Sequence, residues 1–185
     1  HDAEVGNRRV QAALEAIGIA VLRNEVAALP WGDGRVEVAG LGCLRSGRAD
    51  PARTFAALTG TAPAILLSHV PDIFPAAPDG VVLTVAGHTH GGQVRIPGLG
   101  PIVTLSRLPR RMARGLHERD GRWLYVSAGL GTSALPVRFA NPPEIAVLTL
   151  RHPAAAAGHG GHVVAGRAGA ASGPTAAVDR AWLGR

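Results

Sequence analysis

A chain of 185 residues with 46% hydrophobic content is long enough for one domain with its own core, and its single Cys43 excludes both an intramolecular disulfide framework and a multi-cysteine zinc set. The net charge of +6 comes from 19 Arg and no Lys against 13 acidic residues, and residues 151–185 supply half of it with four Arg and one Asp. A body this mildly basic, with only 4% aromatic residues, argues against a nucleic-acid partner, and no apolar run approaches the roughly 18–20 residues of a bilayer span.

Read in chain order, NRRVQAALEAIG predicts an amphipathic helix with Asn7 as N-cap and Gly18 as its stop. IAVLRNEVAAL predicts two short β-runs, and WGDGRVEVAGL predicts a hairpin turning at Asp33-Gly34 into an alternating strand. Asp50-Pro51 predicts the cap and first turn of a second helix over ARTFAALTG. The runs AILL and GVVLTVA are continuously apolar, the pattern of central strands covered on both faces. A Gly/Pro-rich loop from Gly91 to Pro101 follows, then the arginine-dense SRLPRRMARGLHERDGR, which Asp120-Gly121 turns into WLYVSAGLG. EIAVLTL, residues 144–150, reads as the last ordered element of a domain spanning 1–150. The low-complexity residues 151–185 hold too little apolar surface to offset the entropy of ordering and are expected to be a disordered tail, with VDRAWLG able to dock weakly at its end.

Both apolar runs end in histidine: AILLSHVPD in His69, and VVLTVAGHTHGGQ in His88 and His90. In open α/β sheets ligands gather off the carboxyl ends of such strands, and neutral imidazole suits zinc, manganese, iron and nickel. If the segment is extended, residues two apart project to one side, so His88 and His90 can share one site or reach two adjacent ions. Gly87, Gly91 and Gly92 are expected to let the backbone turn sharply there. The competing reading, histidines that merely satisfy local hydrogen bonds, fits a lone His69 better than a pair set between glycines.

LSHVPD, GHTHGGQ and YVSAGLGTSALPVRFANPPEI together resemble the C-terminal half of a calcineurin-like metallophosphoesterase, in the bacterial branch of YaeI/YkuE-like phosphodiesterases. The resemblance covers residues 1–150, and the opening HDAEVGNRRVQAALEAIG resembles the second half of the family's Gly-Asn-His-Asp motif with its following helix. It implies a four-layer α/β/β/α sandwich of which this chain is the C-terminal part. It also implies two divalent metal ions, of manganese, zinc, iron or a similar element, sharing a bridging aspartate and a bridging hydroxide to hydrolyse a phosphodiester. By it, His69 and His88 would ligate one metal and His90 the other, while His1 would contact or protonate the leaving group with Asp2 orienting its ring.

The departures matter equally. Neither Asp-X-His nor Gly-Asp-X-X-Asp occurs in the sequence, and histidine is not a residue at which translation starts, so further sequence is expected upstream. LGCLR, residues 41–45, stands where relatives often carry acidic residues, and Cys43 is assigned no function. Arg107, Arg110, Arg111 and Arg114 could meet a phosphate or an anionic membrane surface, although arginine-dense loops are more often only solvated. His117, in that segment, is left unassigned, and His159 and His162 of the tail lack the fixed surroundings of a real site. The expected partner is a phosphoester substrate, small or lipid-linked. Membrane association would come through the upstream part, localisation stays open between cytoplasmic and peripheral to the membrane, and oligomeric state is not readable. The alternative function is a non-catalytic binding domain of the same fold, with a vacant or mononuclear metal site.

Overall fold

The computed structural model describes residues 7–150 and the backbone of Val178–Asp179. Its elements are helix α1 (Asn7–Ala16), strands β1 (Glu25–Trp31) and β2 (Gly34–Gly40), helix α2 (Pro51–Ala56), and strands β3 (Ala64–Ser68) and β4 (Val81–Ala86). There follow β5 (Arg95–Ile96), β6 (Gly100–Pro101), β7 (Gly115–Arg119), β8 (Arg122–Val126), β9 (Val147–Leu148) and β10 (Val178–Asp179), with short 3-10 turns at Pro71–Ala76, His90–Gly92 and Arg110–Ala113. The main sheet has the order β1-β2-β3-β4-β8-β7. Its centre, β2-β3-β4-β8, is parallel, and an antiparallel hairpin partner closes each side. This mixed α/β class is the expected one. A single large sheet forms among the described residues, and no described helix is long and apolar enough to cross a membrane.

Local chemistry explains most boundaries. Gly18 takes a left-handed φ of 82° and ends the α1 region. The β1–β2 turn is made by Gly32 and Asp33, because Trp31 pairs with Gly34 and Gly32 carries the positive φ; the expected Asp33-Gly34 turn is therefore one residue off. Asp50 caps α2 by accepting from Arg53 N at 2.9 Å, with Pro51 in the first turn, as predicted. Asp120 and Gly121, with φ of 54° and 73°, form the β7–β8 turn. Residues 19–24 form no strand, and of 144–150 only Val147–Leu148 does, paired with Val178–Asp179. The remainder of 151–185 lies outside the described residues.

The two faces of the sheet differ. Ala39, Leu66, Thr84 and Leu124, which pair in register, are each 0% exposed; Ala39 and Leu66 cluster with Ile73 and Ala77, and Leu124 with Phe74, of the first 3-10 turn and its exit. On the opposite face Leu83 and Tyr125 are buried, yet Leu67 is 42% and Leu29 49% exposed. The expectation that both strand runs are covered on both faces thus holds for one face and for only part of the other.

Candidate functional site

Because β2, β3, β4 and β8 run parallel, their carboxyl ends share one edge, and Leu41 N–Leu67 O, Gly87 N–His69 O and Ser127 N–Ala86 O bonds of 2.9, 3.2 and 2.8 Å lace it together. His69 follows β3 and His88 follows β4. Their rings meet edge-on, with centroids 4.7 Å apart, and His69 Nε2 lies 3.0 Å from His88 Nδ1. His88 is only 7% exposed. Burial, reinforced by the neighbouring His69 and by Arg45 and His90, lowers its pKa to about 4, so its ring is neutral at pH 7.

Residues 87–92 are not extended. His88 and His90 adopt left-handed φ of 68° and 50°, Gly91 and Gly92 have φ of 64° and 78°, and Thr89 between the histidines is αR. Such backbone is costly for residues with a Cβ and persists only where the surroundings fix it. The same-side argument for His88 and His90 therefore fails: His88 turns to His69, and His90 Nδ1 lies 3.2 Å from Gly131 O. A carbonyl can only accept, so Nδ1 carries a proton, and in the neutral ring Nε2 of His90 then keeps its lone pair. Gly91 and Gly92 are required, since a Cβ at Gly91 would meet the Asn141 amide and one at Gly92 would collide with Pro101. Gly87 has open space and no positive φ, so it is not needed for the turn.

A polar network that sequence reasoning missed holds this turn. Thr89 Oγ1 donates to Ala113 O at 2.6 Å, and buried Asn141 donates from Nδ2 to His90 O at 2.6 Å. Arg114 clamps Asn141 Oδ1 and Glu144 Oε2 at 2.8 and 3.0 Å, while Glu144 Oε1 accepts from Tyr125 OH and Ala128 N. Burial and the Glu144 carboxylate push the Tyr125 hydroxyl well above its usual range, which keeps it a donor. Arg138 donates to the carbonyls of Ala128, Gly129 and Gly131, fixing the oxygen that orients His90. Arg114 is thereby set apart from the arginine-dense segment, where solvated side chains are the commoner outcome, whereas Arg107, Arg110 and Arg111 are exposed. His117 accepts its place by donating to Arg114 O, a structural role. His1 and Asp2 lie outside the described residues.

The chain is 36% identical over 148 residues to the "Uncharacterized metallophosphoesterase YkuE" of Bacillus subtilis, covering 79% of this chain and 51% of that protein. It is 32% identical over 155 residues to phosphodiesterase YaeI of Escherichia coli, covering 81% of this chain and 55% of that one. The chain belongs to the metallophosphoesterases. A third relative, the UDP-2,3-diacylglucosamine pyrophosphatase LpxG of Chlamydia trachomatis, is 32% identical over 78% of this chain and 45% of its own length. The chain spans about half the length of the curated relatives it matches. No protein-family model matches it, and neither does any solved structure.

Metallophosphoesterase relatives imply divalent metal ions, and the histidine edge fits them. The 3.0 Å separation of His69 Nε2 and His88 Nδ1 puts both nitrogens within reach of a single ion at about 2.1 Å from each. With Nδ1 of His88 turned to that point, its buried Nε2 has no hydrogen-bond partner among the described residues. A metal-ligating imidazole normally donates its second N–H to an acceptor, and among the described residues none meets this one. His90 already has such an arrangement through Gly131 O. Among the described residues, however, no three His, Cys, Asp or Glu side chains are grouped closely enough to hold an ion.

Proposed function

We propose that the chain forms the histidine-bearing half of a dinuclear, metal-dependent phosphoesterase that hydrolyses phosphodiester bonds. The observation that carries this reading is the convergence of a neutral, buried His88 Nδ1 with His69 Nε2 at 3.0 Å on the carboxyl edge of the sheet. His69 and His88 would hold one ion, and His90, its tautomer fixed by Gly131 O, would offer Nε2 to a second. When bound, the pair of ions supplies charge to clamp the phosphoryl oxygens and lowers the pKa of an attacking water. His1 would bring a proton to the leaving oxygen, with Asp2 orienting its ring and raising its pKa.

The anionic ligands are proposed to lie outside these 185 residues, since the sequence has neither Asp-X-His nor Gly-Asp-X-X-Asp. Two like charges close together need intervening carboxylates to offset their repulsion. The same missing portion would supply the second sheet of the four-layer sandwich, covering the open stretch around Leu29 and Leu67. The substrate is read as a small or lipid-linked phosphoester, and LpxG's name specifies a diacylated sugar nucleotide.

The test is hydrolysis of bis(4-nitrophenyl) phosphate by the full-length protein. His90→Ala should cut turnover by orders of magnitude with loss of bound metal, and His1→Ala should cut turnover with metal content retained. Full activity of His90→Ala overturns the assignment. The second reading, a non-catalytic domain with a mononuclear or vacant site, draws on the failure of the described residues to assemble three ligands. It predicts at most one ion per full-length chain and no turnover by any variant.

A further inference from the structure

Beyond the histidine turn, the rim of the site is greasy. Ile96, Leu99, Ile102, Val103 and Leu105 of the β5–β6 hairpin and its exit are between 42% and 73% exposed. A second loop is fastened to this one: Val94 bridges Phe139, Arg95 N donates to Phe139 O at 3.0 Å, and Gln93 Nε2 donates to Leu135 O at 2.8 Å. There Leu135, Val137 and Phe139 are each more than half exposed. Scattered exposed apolar side chains are ordinary, but two hydrogen-bonded loops that both present them are a patch that calls for a partner.

Charge selects the partner. From residue 80 to residue 117 there is no Asp or Glu and there are five Arg; residues 121–143 also lack a carboxylate. Arg95 and Arg114 are engaged with Gly91 O and with Asn141 and Glu144, whereas Arg107, Arg110 and Arg111 are exposed and no carboxylate side chain pairs with them among the described residues. The nearby Asp72 is occupied by Ser106 Oγ and Arg107 N. Exposed apolar side chains on the hairpin, with exposed arginines on and beside the 3-10 turn that packs against β6, match a bilayer surface, where acyl chains meet anionic phosphates.

We propose that the paired loops 94–105 and 131–139, with Arg107, Arg110 and Arg111, form a docking surface for an anionic lipid bilayer, seating the carboxyl-edge site against the membrane. The inference stands on exposure and charge and uses no step of the proposed hydrolysis, so each can fail without the other.

The test is co-sedimentation of the full-length protein with vesicles of phosphatidylglycerol and phosphatidylcholine in equal parts, beside pure phosphatidylcholine vesicles. The protein should partition onto the anionic vesicles, more weakly at high salt. Leu99→Asp combined with Val103→Asp should lower the partition coefficient at least tenfold. Replacing Arg107, Arg110 and Arg111 by Ala should lower it about fivefold per arginine and remove most of the salt dependence. All these residues are exposed, so the variants should melt like the parent. An anchor elsewhere in the protein is separated by Leu99→Trp, whose added fluorescence brominated lipids should quench. Unchanged partitioning of the variants, or no quenching of the Leu99→Trp signal, overturns the proposal. So does vesicle-independent dimerisation abolished by Leu99→Asp, which would make the occupant a second copy of the chain.

Discussion

Two stretches at the same sheet edge are built on opposite principles. Residues 87–92 hold left-handed histidines in place by hydrogen bonds from Thr89, Asn141 and Arg138, with Arg114 and Glu144 behind them. Residues 96–111 send apolar and arginine side chains outward with almost no side-chain hydrogen bonds among themselves. The first stretch is completed by the chain's own atoms, so substitutions there should change stability and site geometry together. The second sends its side chains to the surface, so substitutions there should leave the fold alone.

The largest effect is expected at Gly92. A methyl group there collides with Pro101 Cβ and sits on a φ of 78°, so Gly92→Ala should cost on the order of 3 kcal/mol in a denaturant titration. A loss below about 1 kcal/mol would show that the turn is looser than described. Next is Glu144→Ala, which leaves Tyr125 OH, Ala128 N and Arg114 without their acceptor. The pair with Arg114 is 23% exposed on each side, so a loss of about 2 kcal/mol is expected by chemical denaturation.

A comparable term depends on pH. His88 has a folded pKa of about 4 against 6.5 unfolded, so between those values the unfolded chain binds a proton that the folded chain refuses. In metal-free protein this stability is fully present above pH 6.5 and is lost as pH falls through about 4, a difference on the order of 2–3 kcal/mol. His88→Asn should flatten the stability profile in that window; an unchanged slope would assign the effect to other groups. The smallest effect belongs to the outer loop, where Leu99→Ser or Arg110→Ala should shift the melting equilibrium by less than about 0.5 kcal/mol.

The same division explains what was legible in the sequence. Helix caps and turn residues act locally, so Asp50, Gly18 and Asp120-Gly121 announced themselves, and the apolar runs of β3 and β4 identified the central strands and the histidines at their ends. The one-residue error at Gly32 arose because two glycines flank Asp33 and only pairing decides which one turns. The conformation of His88 and His90 was illegible, since strand periodicity was extended past Ala86 into a segment that long-range hydrogen bonds bend. Asn141 donates across 51 positions and Arg114 across 27 and 30, separations that no local pattern encodes. For the same reason Arg114 resembled its solvated neighbours in the sequence while performing a different task.

The most direct test of the central claim is anomalous scattering at the manganese edge from crystals of the full-length, manganese-loaded protein. The account predicts a peak about 2.1–2.3 Å from both His69 Nε2 and His88 Nδ1, and a second peak roughly 3.5–4 Å away on His90 Nε2. Peaks that avoid these nitrogens, or a His88 that binds through Nε2 instead of Nδ1, would contradict it.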